Sequence, residues 1–301
     1  GHGLIHHLSK QTDMEIAALD ITPLDPSLEP LCSFFYHCDI LNREKLVEIF
    51  ARHEFHTIHH LASILSTSAE HKPETAHRVN VDGTIELLKL AQQQSARTGR
   101  AVRFLYPSSI AVYGLPCRDT KAGAGKVREE DWCCPTTMYG CNKLYCEQVG
   151  RYYAEHYRQL SPDNQEARLD FRGLRYPGLI SAYTTPSGGT SDYGPEMLHA
   201  AARGKPYSCF VRPDSRLPFM AMPDAVKALI ELSDAPAESL SRRIYNVTSF
   251  SPSAREFLTR VQKYFPDASI DFKPDTARQG IVDTWPEDID DSAACTDWGW
   301  K

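Results

Sequence analysis

No stretch of this 301-residue chain stays apolar for the ~20 residues that a membrane-spanning helix needs, so no membrane partner is expected. A surplus of positive charge is also missing. Against 39 Asp and Glu stand 33 Lys and Arg, a net charge of −6, and without a basic footprint no nucleic-acid partner is expected. The nine cysteines contain no Cys-x-x-Cys pair. An odd number without a framework reads as free thiols in a reducing compartment, the adjacent Cys133 and Cys134 included. No internal repeat and no signal peptide are apparent.

What is present is ordinary for a globular protein: 42% hydrophobic and 24% charged residues. The length suits one large α/β domain, alone or with a small lobe. Strand patterns at Met14–Asp20, Ser33–Asp39, Thr57–Ala62, Val102–Ser108 and Leu169–Arg175 alternate with helical patterns at 42–53, 73–94 and 137–157. A Gly-rich loop is read at 121–126. That alternation predicts right-handed crossovers and a doubly wound, mainly parallel sheet. Several strands end in polar residues, namely Asp20, Asp39 and Ser108-Ser109. In such sheets, ligands bind beyond the carboxyl ends of the strands.

Tyr139-Gly-Cys-Asn-Lys143 is the sharpest local motif. Residues four apart share a helix face, so the Lys143 ammonium can lie near the Tyr139 hydroxyl and favour phenolate. That makes a general base for a hydroxyl substrate, or an acid in reverse. Among 14 tyrosines such a spacing also arises by chance. Its position, in a long helix after the strand that ends at Ser109, is what singles it out. His56, His59 and His60 do not read as a metal site, because His59 faces away from the other two on a strand.

Around these residues the chain resembles the extended short-chain dehydrogenase and epimerase family. Ser108-Ser-Ile-Ala-Val-Tyr-Gly114 is similar to that family's Ser-Ser-x-x-Val-Tyr-Gly stretch, and Tyr139 and Lys143 match its Tyr-x-x-x-Lys. The resemblance implies a Rossmann-type doubly wound sheet with a smaller C-terminal substrate-binding lobe. It also implies Ser109, Tyr139 and Lys143 as catalytic residues and NAD as cofactor.

On the cofactor side Asp20 suits the adenosine ribose hydroxyls, and its charge would repel a ribose phosphate, which favours NAD. The reading of Asp20 as a plain turn residue stays open. Asp39-Ile40 resembles the pair that borders the adenine, and His60-Leu61-Ala62 resembles the segment beside the dinucleotide. Asn80 matches the Asn of an Asn-Val-x-Gly-Thr segment. Tyr176, with Tyr139 and Lys143, is placed on the cofactor as well. The phosphate loop G-x-x-G-x-x-G is missing. Gly1 resembles only its last glycine, and the first strand and the other glycines are absent. The expectation is that the sequence is a trimmed version of a longer chain, since the first strand is central in such sheets and its loss would split them.

Beyond residue 174 the pattern changes. Arg175-Tyr-Pro-Gly-Leu-Ile-Ser181, Gly188-Gly-Thr-Ser-Asp-Tyr193, Pro213–Pro218, Arg278–Pro286 and the end from Asp290 to Lys301 resemble the short-chain L-threonine 3-dehydrogenases. That resemblance implies oxidation of the threonine β-hydroxyl to 2-amino-3-oxobutanoate with NADH formed. Ser66, Gly189, Thr190 and Trp285 would then line the amino-acid pocket, with Ser109 and Tyr139. Arg175 and Ser181 are further candidates, Arg175 as a carboxylate partner or as a structural cation, and Trp285 as pocket wall or core.

The division expected is 1–173, with a returning segment around 217–249, for the dinucleotide, and 174–216 with 250–301 for the substrate. The helices holding Asn80 and Tyr139 are apolar on more than one face, and relatives pair them in a homodimer, although core packing explains the same pattern. A sugar-nucleotide epimerase or dehydratase, a dehydrogenase of another β-hydroxy acid, and a catalytically silent NAD-sensing protein are the alternatives. The compartment expected is the cytoplasm, or the mitochondrial matrix in a eukaryote.

Overall fold

In the computed structural model the structure describes residues 1–11, 14–161 and 169–301. Helix α1 (His2–Leu8) precedes two short strands, β1 (Ala17–Asp20) and β2 (Phe34–His37). Helix α2 (Arg43–Arg52) starts where the Asn42 side chain accepts the Lys45 amide at 3.0 Å, the N-cap its sequence predicts. Strand β3 (Thr57–His59) is followed by α3 (Ser66–His71), α4 (Pro73–His77) and α5 (Gly83–Thr98). The single helix read over 73–94 is thus interrupted by a π-helical turn at Arg78–Asp82. Strand β4 (Val102–Ser109), α6 (Arg118–Gly123), β5 (Lys126–Val127) and α7 (Met138–Glu155) lead to β6 (Leu169–Tyr176).

The second half adds β7 (Gly178–Ile180), α8 (Tyr193–Ala202), β8 (Tyr207–Cys209), β9 (Phe219–Ala221), α9 (Met222–Asp234) and β10 (Ile244–Asn246). After these come α10 (Ala254–Tyr264), β11 (Ile270–Phe272), α11 (Thr276–Thr284), β12 (Asp288–Ile289) and α12 (Ser292–Trp298).

The main sheet has the order β10-β6-β4-β3, all parallel, and β1 pairs with β2 in a separate parallel pair. Strand β4 explains the layering. Its side chains alternate, so that Phe104 and Tyr106 enter a cluster with Leu88 of α5 and Cys146 of α7, while Leu105 joins Leu4 of α1 and Leu229 of α9 on the other face. Phe104 and Leu105 are both fully buried, as expected of a parallel strand covered on both sides. Each such side chain contributes ~1.5–3 kcal/mol. Residues 222–246 return to this sheet: α9 lies against β4 and β6, and β10 pairs with β6.

A third cluster forms a core of its own, built by Tyr193 and Met197 of α8, Phe219 of β9, Phe257 of α10, and Val282 and Trp285 at the end of α11. Short parallel pairs β7–β9, β8–β11 and β5–β12 frame it. The Gly-rich stretch read as a loop at 121–126 holds the second half of helix α6 instead. Its Lys121 is buried and donates to the Val282 carbonyl at 2.9 Å, a contact 161 residues away that local composition does not foretell.

Candidate active site

The carboxyl ends of β3, β4 and β6 and the start of α7 converge. Helix α7 begins where Thr137 Oγ1 accepts the Gly140 amide at 3.1 Å and Glu70 accepts the Met138 amide at 2.7 Å. That start sits close against the segment after β4: a Cβ on Gly140 would lie 2.1 Å from the Ala111 carbonyl oxygen. The fit brings Tyr139 to Ser109, the last residue of β4. Ser109 is near enough to the Tyr139 phenol to ease its ionisation, and Ser109 Oγ accepts the Ala111 amide at 3.2 Å.

Lys143 is buried one turn further along. Its Nζ donates to the Pro107 carbonyl at 2.7 Å and lies 4.7 Å from the Tyr106 ring centre and 5.4 Å from that of Tyr139. Ser109, Tyr139 and Lys143 are therefore neighbours. Their electrostatics in the protein alone differ from the lowered phenol expected from the spacing. Burial pushes Tyr139 up to about 12, with Ser109 pulling the other way. Burial also lowers Lys143 to about 8, with Cys146 and Glu147 acting the other way. Desolvation outweighs the ion–phenolate attraction because both groups lose water together.

The cofactor-side residues fall into two groups. Asp20, Asp39, Leu61 and Ala62 are exposed at strand ends. Asp20 Oδ1 accepts the Thr22 amide and hydroxyl, each at 2.9 Å, and Asp39 Oδ1 accepts the Leu41 amide at 2.9 Å. Each carboxylate thus holds its own turn through Oδ1. Gly1 is exposed with open space where a Cβ would be. Asn80 is buried in the π-helical turn, accepts the Ser63 hydroxyl and the Ile64 amide, and donates to the Ile64 carbonyl and to Asn142 of α7. It ties the loop after β3 to the helix of Tyr139. Ile40 is buried under Gly83, and Tyr176 is buried against α9 with its hydroxyl donating to the Ala225 carbonyl at 2.7 Å. Those two side chains are taken up by packing.

On the substrate side, Ser66 Oγ accepts the Thr190 amide and hydroxyl, both at 3.3 Å, and both residues are buried. Gly189 donates to Asp192 at 2.6 Å, and Gly188 has φ +88°, which favours glycine. Trp285 is buried in the third cluster, and its indole N–H has no partner among the described residues. Ser181 accepts the Tyr183 and Thr184 amides in a turn.

Arg175 requires a correction. It is buried, donates twice to Glu147 at 2.9 and 2.6 Å, and also reaches the Tyr113 hydroxyl at 3.0 Å and the Glu129 carbonyl at 2.6 Å. With its fork spent on these groups it is a structural cation and not a partner for a substrate carboxylate. Sequence reasoning passed over Glu147, four residues after Lys143, and Thr67, which donates to the Gly188 carbonyl at 2.5 Å. The helical spacing could have flagged the first. No signal in the sequence marks the second.

The fold and this cluster define a Rossmann-type α/β protein with a Ser, Tyr and Lys set at the carboxyl end of its parallel strands. The chain belongs to the NAD dependent epimerase/dehydratase family, whose model matches residues 1–248. It is 34% identical over 305 residues to the mitochondrial L-threonine 3-dehydrogenase of Bos taurus, covering all of this chain and 75% of that protein. It is 33% identical to the holo form of a GalE-like L-threonine dehydrogenase from Cupriavidus necator, with TM-score 0.86 and coverage of 100% and 91%. A monomeric L-threonine 3-dehydrogenase from a metagenome, in apo form, is 35% identical with TM-score 0.85 and coverage of 100% and 90%. These relatives support a nicotinamide-dependent oxidoreductase. No helix among the described residues is long and apolar enough to cross a membrane.

Proposed function

We propose that the chain oxidises the β-hydroxyl of L-threonine with NAD, giving 2-amino-3-oxobutanoate and NADH. The observation that carries this reading is the start of α7 packed on the end of β4, which sets Tyr139 beside Ser109 and close to the buried Lys143. The full-length likeness to threonine dehydrogenases supports the substrate. The residues present fit the cofactor. Leu61 and Ala62 are exposed at the end of β3, and Asp20 engages its turn through Oδ1, with Oδ2 outside it. The partnerless Trp285 N–H suits a polar group of a substrate.

When bound, the oxidised nicotinamide supplies a hydride acceptor and a positive charge. Tyr139 Oη takes the hydroxyl proton as the carbinol carbon gives up its hydride. Ser109 holds the reacting oxygen in place. Lys143 would stabilise the phenolate and would hold the nicotinamide ribose when the cofactor is bound. With Arg175 spent, the amino acid is held by Ser66, Thr190 and Trp285, with Gly189 lining the pocket and Ser181 at the loop's base.

Residues 1–173 with 217–249 hold the dinucleotide in this reading, and 174–216 with 250–301 hold the substrate. The exposed Tyr145 and Tyr152 on α7 suit a homodimer, which light scattering at rising concentration tests. A mass that stays at one chain would overturn the dimer. For the activity, NADH absorbance is followed with L-threonine, other β-hydroxy amino acids and nucleotide sugars. Turnover of threonine is expected. Tyr139→Phe should lower kcat by roughly a thousandfold with NAD affinity retained. Silence with threonine but turnover of a nucleotide sugar would sink the substrate assignment.

A further inference from the structure

Helix α7 carries a second charged group that the reaction as written does not use. Glu147 is 1% exposed and one helical turn beyond Lys143. It accepts the Ser108 hydroxyl at 2.5 Å and both arms of Arg175. Ser108 is the neighbour of Ser109, and Pro107, whose carbonyl holds Lys143, comes just before it. Two consecutive residues of β4, just before Ser109, are thus tied to one helix through Lys143 and Glu147. Behind Arg175 the bonds continue through Tyr113 to Asn246 of β10 at 2.7 Å, and Asn246 donates to Glu129 at 3.0 Å.

The groups facing the Lys143 ammonium can be named. Strand β4 supplies Tyr106 and the Pro107 carbonyl, the end of β3 supplies His60, and α7 itself supplies Tyr139, Cys146 and Glu147. Burial keeps His60 unprotonated and keeps the Tyr106, Tyr139 and Cys146 side chains protonated, so these four are neutral near pH 7. Arg175 stands behind Glu147 and is paired with it. Among these groups Glu147 alone brings a negative charge to Lys143.

We propose that Glu147 is a positioning residue of the active site. It anchors the end of β4 that carries Ser109 to the helix that carries Tyr139 and Lys143, and its carboxylate is the counter-charge of the Lys143 ammonium. This deepens the dehydrogenase reading above and rests on it. Removing the carboxylate leaves Lys143 with burial and the then unpaired Arg175 charge acting on it, and both favour the neutral amine. Phenolate at Tyr139 then loses its cation at a lower pH than in the parent enzyme.

The test is the pH dependence of kcat/KM for L-threonine in the whole chain. Glu147→Gln should move the alkaline limb down by about one pH unit and lower kcat at the parent optimum about tenfold or more, with KM within about threefold. A purely structural role would scale activity down at every pH and leave the limb where it is, and that result overturns the proposal. Because Glu147→Gln leaves the Arg175 charge unbalanced and can fail to fold, Ser108→Ala is the second variant. It cuts the anchor without changing charge. A kcat reduced about threefold to tenfold at unchanged KM is expected, and an unchanged kcat overturns the anchoring role. Tyr139→Phe, run in parallel, separates the two levels. If it retains turnover the dehydrogenase reading itself fails, whereas its silence together with an unmoved limb in Glu147→Gln defeats only the role given to Glu147.

Discussion

His60 is held neutral in the interior beside Thr84, whose hydroxyl lies 2.8 Å from its Nε2. Burial, with the Lys143 charge added, lowers it from 6.5 to about 3. The sign of the consequence follows. Below pH 6.5 the unfolded chain takes up a proton that the folded chain refuses, so the unfolded state gains and stability falls as pH drops toward 3. One such group costs about 1.4 kcal/mol per pH unit in that window. His60→Gln should therefore lose about 2–3 kcal/mol less than the parent between pH 6.5 and roughly pH 4.5, read from urea midpoints. Equal acid losses in the two proteins would show that His60 does not carry the effect. The same scale shows what was legible in the sequence. Ser109, Tyr139 and Lys143 could be picked out because one strand end and one helical turn bring them together. The fate of Arg175 could not, because its partner Glu147 is 28 residues away on another element, and nothing local distinguishes a buried ion pair from a ligand-binding cation.

At the scale of elements, helix α7 is placed by two glycines. Gly140 meets the Ala111 carbonyl, and a Cβ on Gly150 would lie 2.2 Å from the Phe171 ring of β6. Both contacts fail with any side chain, yet they do different things. Gly140 adjoins Tyr139, while Gly150 is ten residues on, about 15 Å along the helix. Gly140→Ala and Gly150→Ala should each cost about 1–3 kcal/mol of stability through overpacking. Gly140→Ala should also cut kcat at least about tenfold by displacing Tyr139 from Ser109, whereas Gly150→Ala should keep kcat per folded molecule within about twofold. Equal losses of kcat in both would mean that the helix moves as a rigid rod. The bounds of α7 were legible to within two residues because Thr137 caps it. The π-helical turn at Arg78–Asp82 was not, because no residue type marks it: the buried Asn80, bonded to the loop after β3, accompanies it. Helix α6 escaped for a like reason, being held by the distant Val282 carbonyl.

For the whole molecule, the alternation of strands and helices conveyed the doubly wound sheet, but how the second core meets the first depends on contacts between segments far apart in the chain. The loop at 188–190 is one such junction. From the first half, Thr67 donates to the Gly188 carbonyl and Ser66 accepts from Thr190. From the second, Arg278 donates to the Gly188 and Gly189 carbonyls at 3.3 and 2.8 Å, and its guanidinium lies 3.1 Å from the Phe210 ring centre. The loop beside Ser66 is thus strapped from both sides. Both bonds come from one nitrogen, Nη2, aimed by the guanidinium plane against Phe210; a lysine at 278 keeps the charge but not that plane. Loss of one hydrogen bond to a charged group, worth about 1.5–3 kcal/mol, should show in the closed state that binds the amino acid. Arg278→Lys should raise KM for L-threonine about tenfold with kcat within about threefold, and speed hydrogen exchange at the amides of Gly188–Asp192. Thr67→Val cuts the strap from the opposite side and should move both readouts the same way, by less, since the donor it removes is neutral. Faster exchange in both variants with an unchanged KM would mean that the strap orders the loop without shaping the pocket. Slow exchange in both would mean that Ser66, Thr190 and Asp192 hold the loop by themselves.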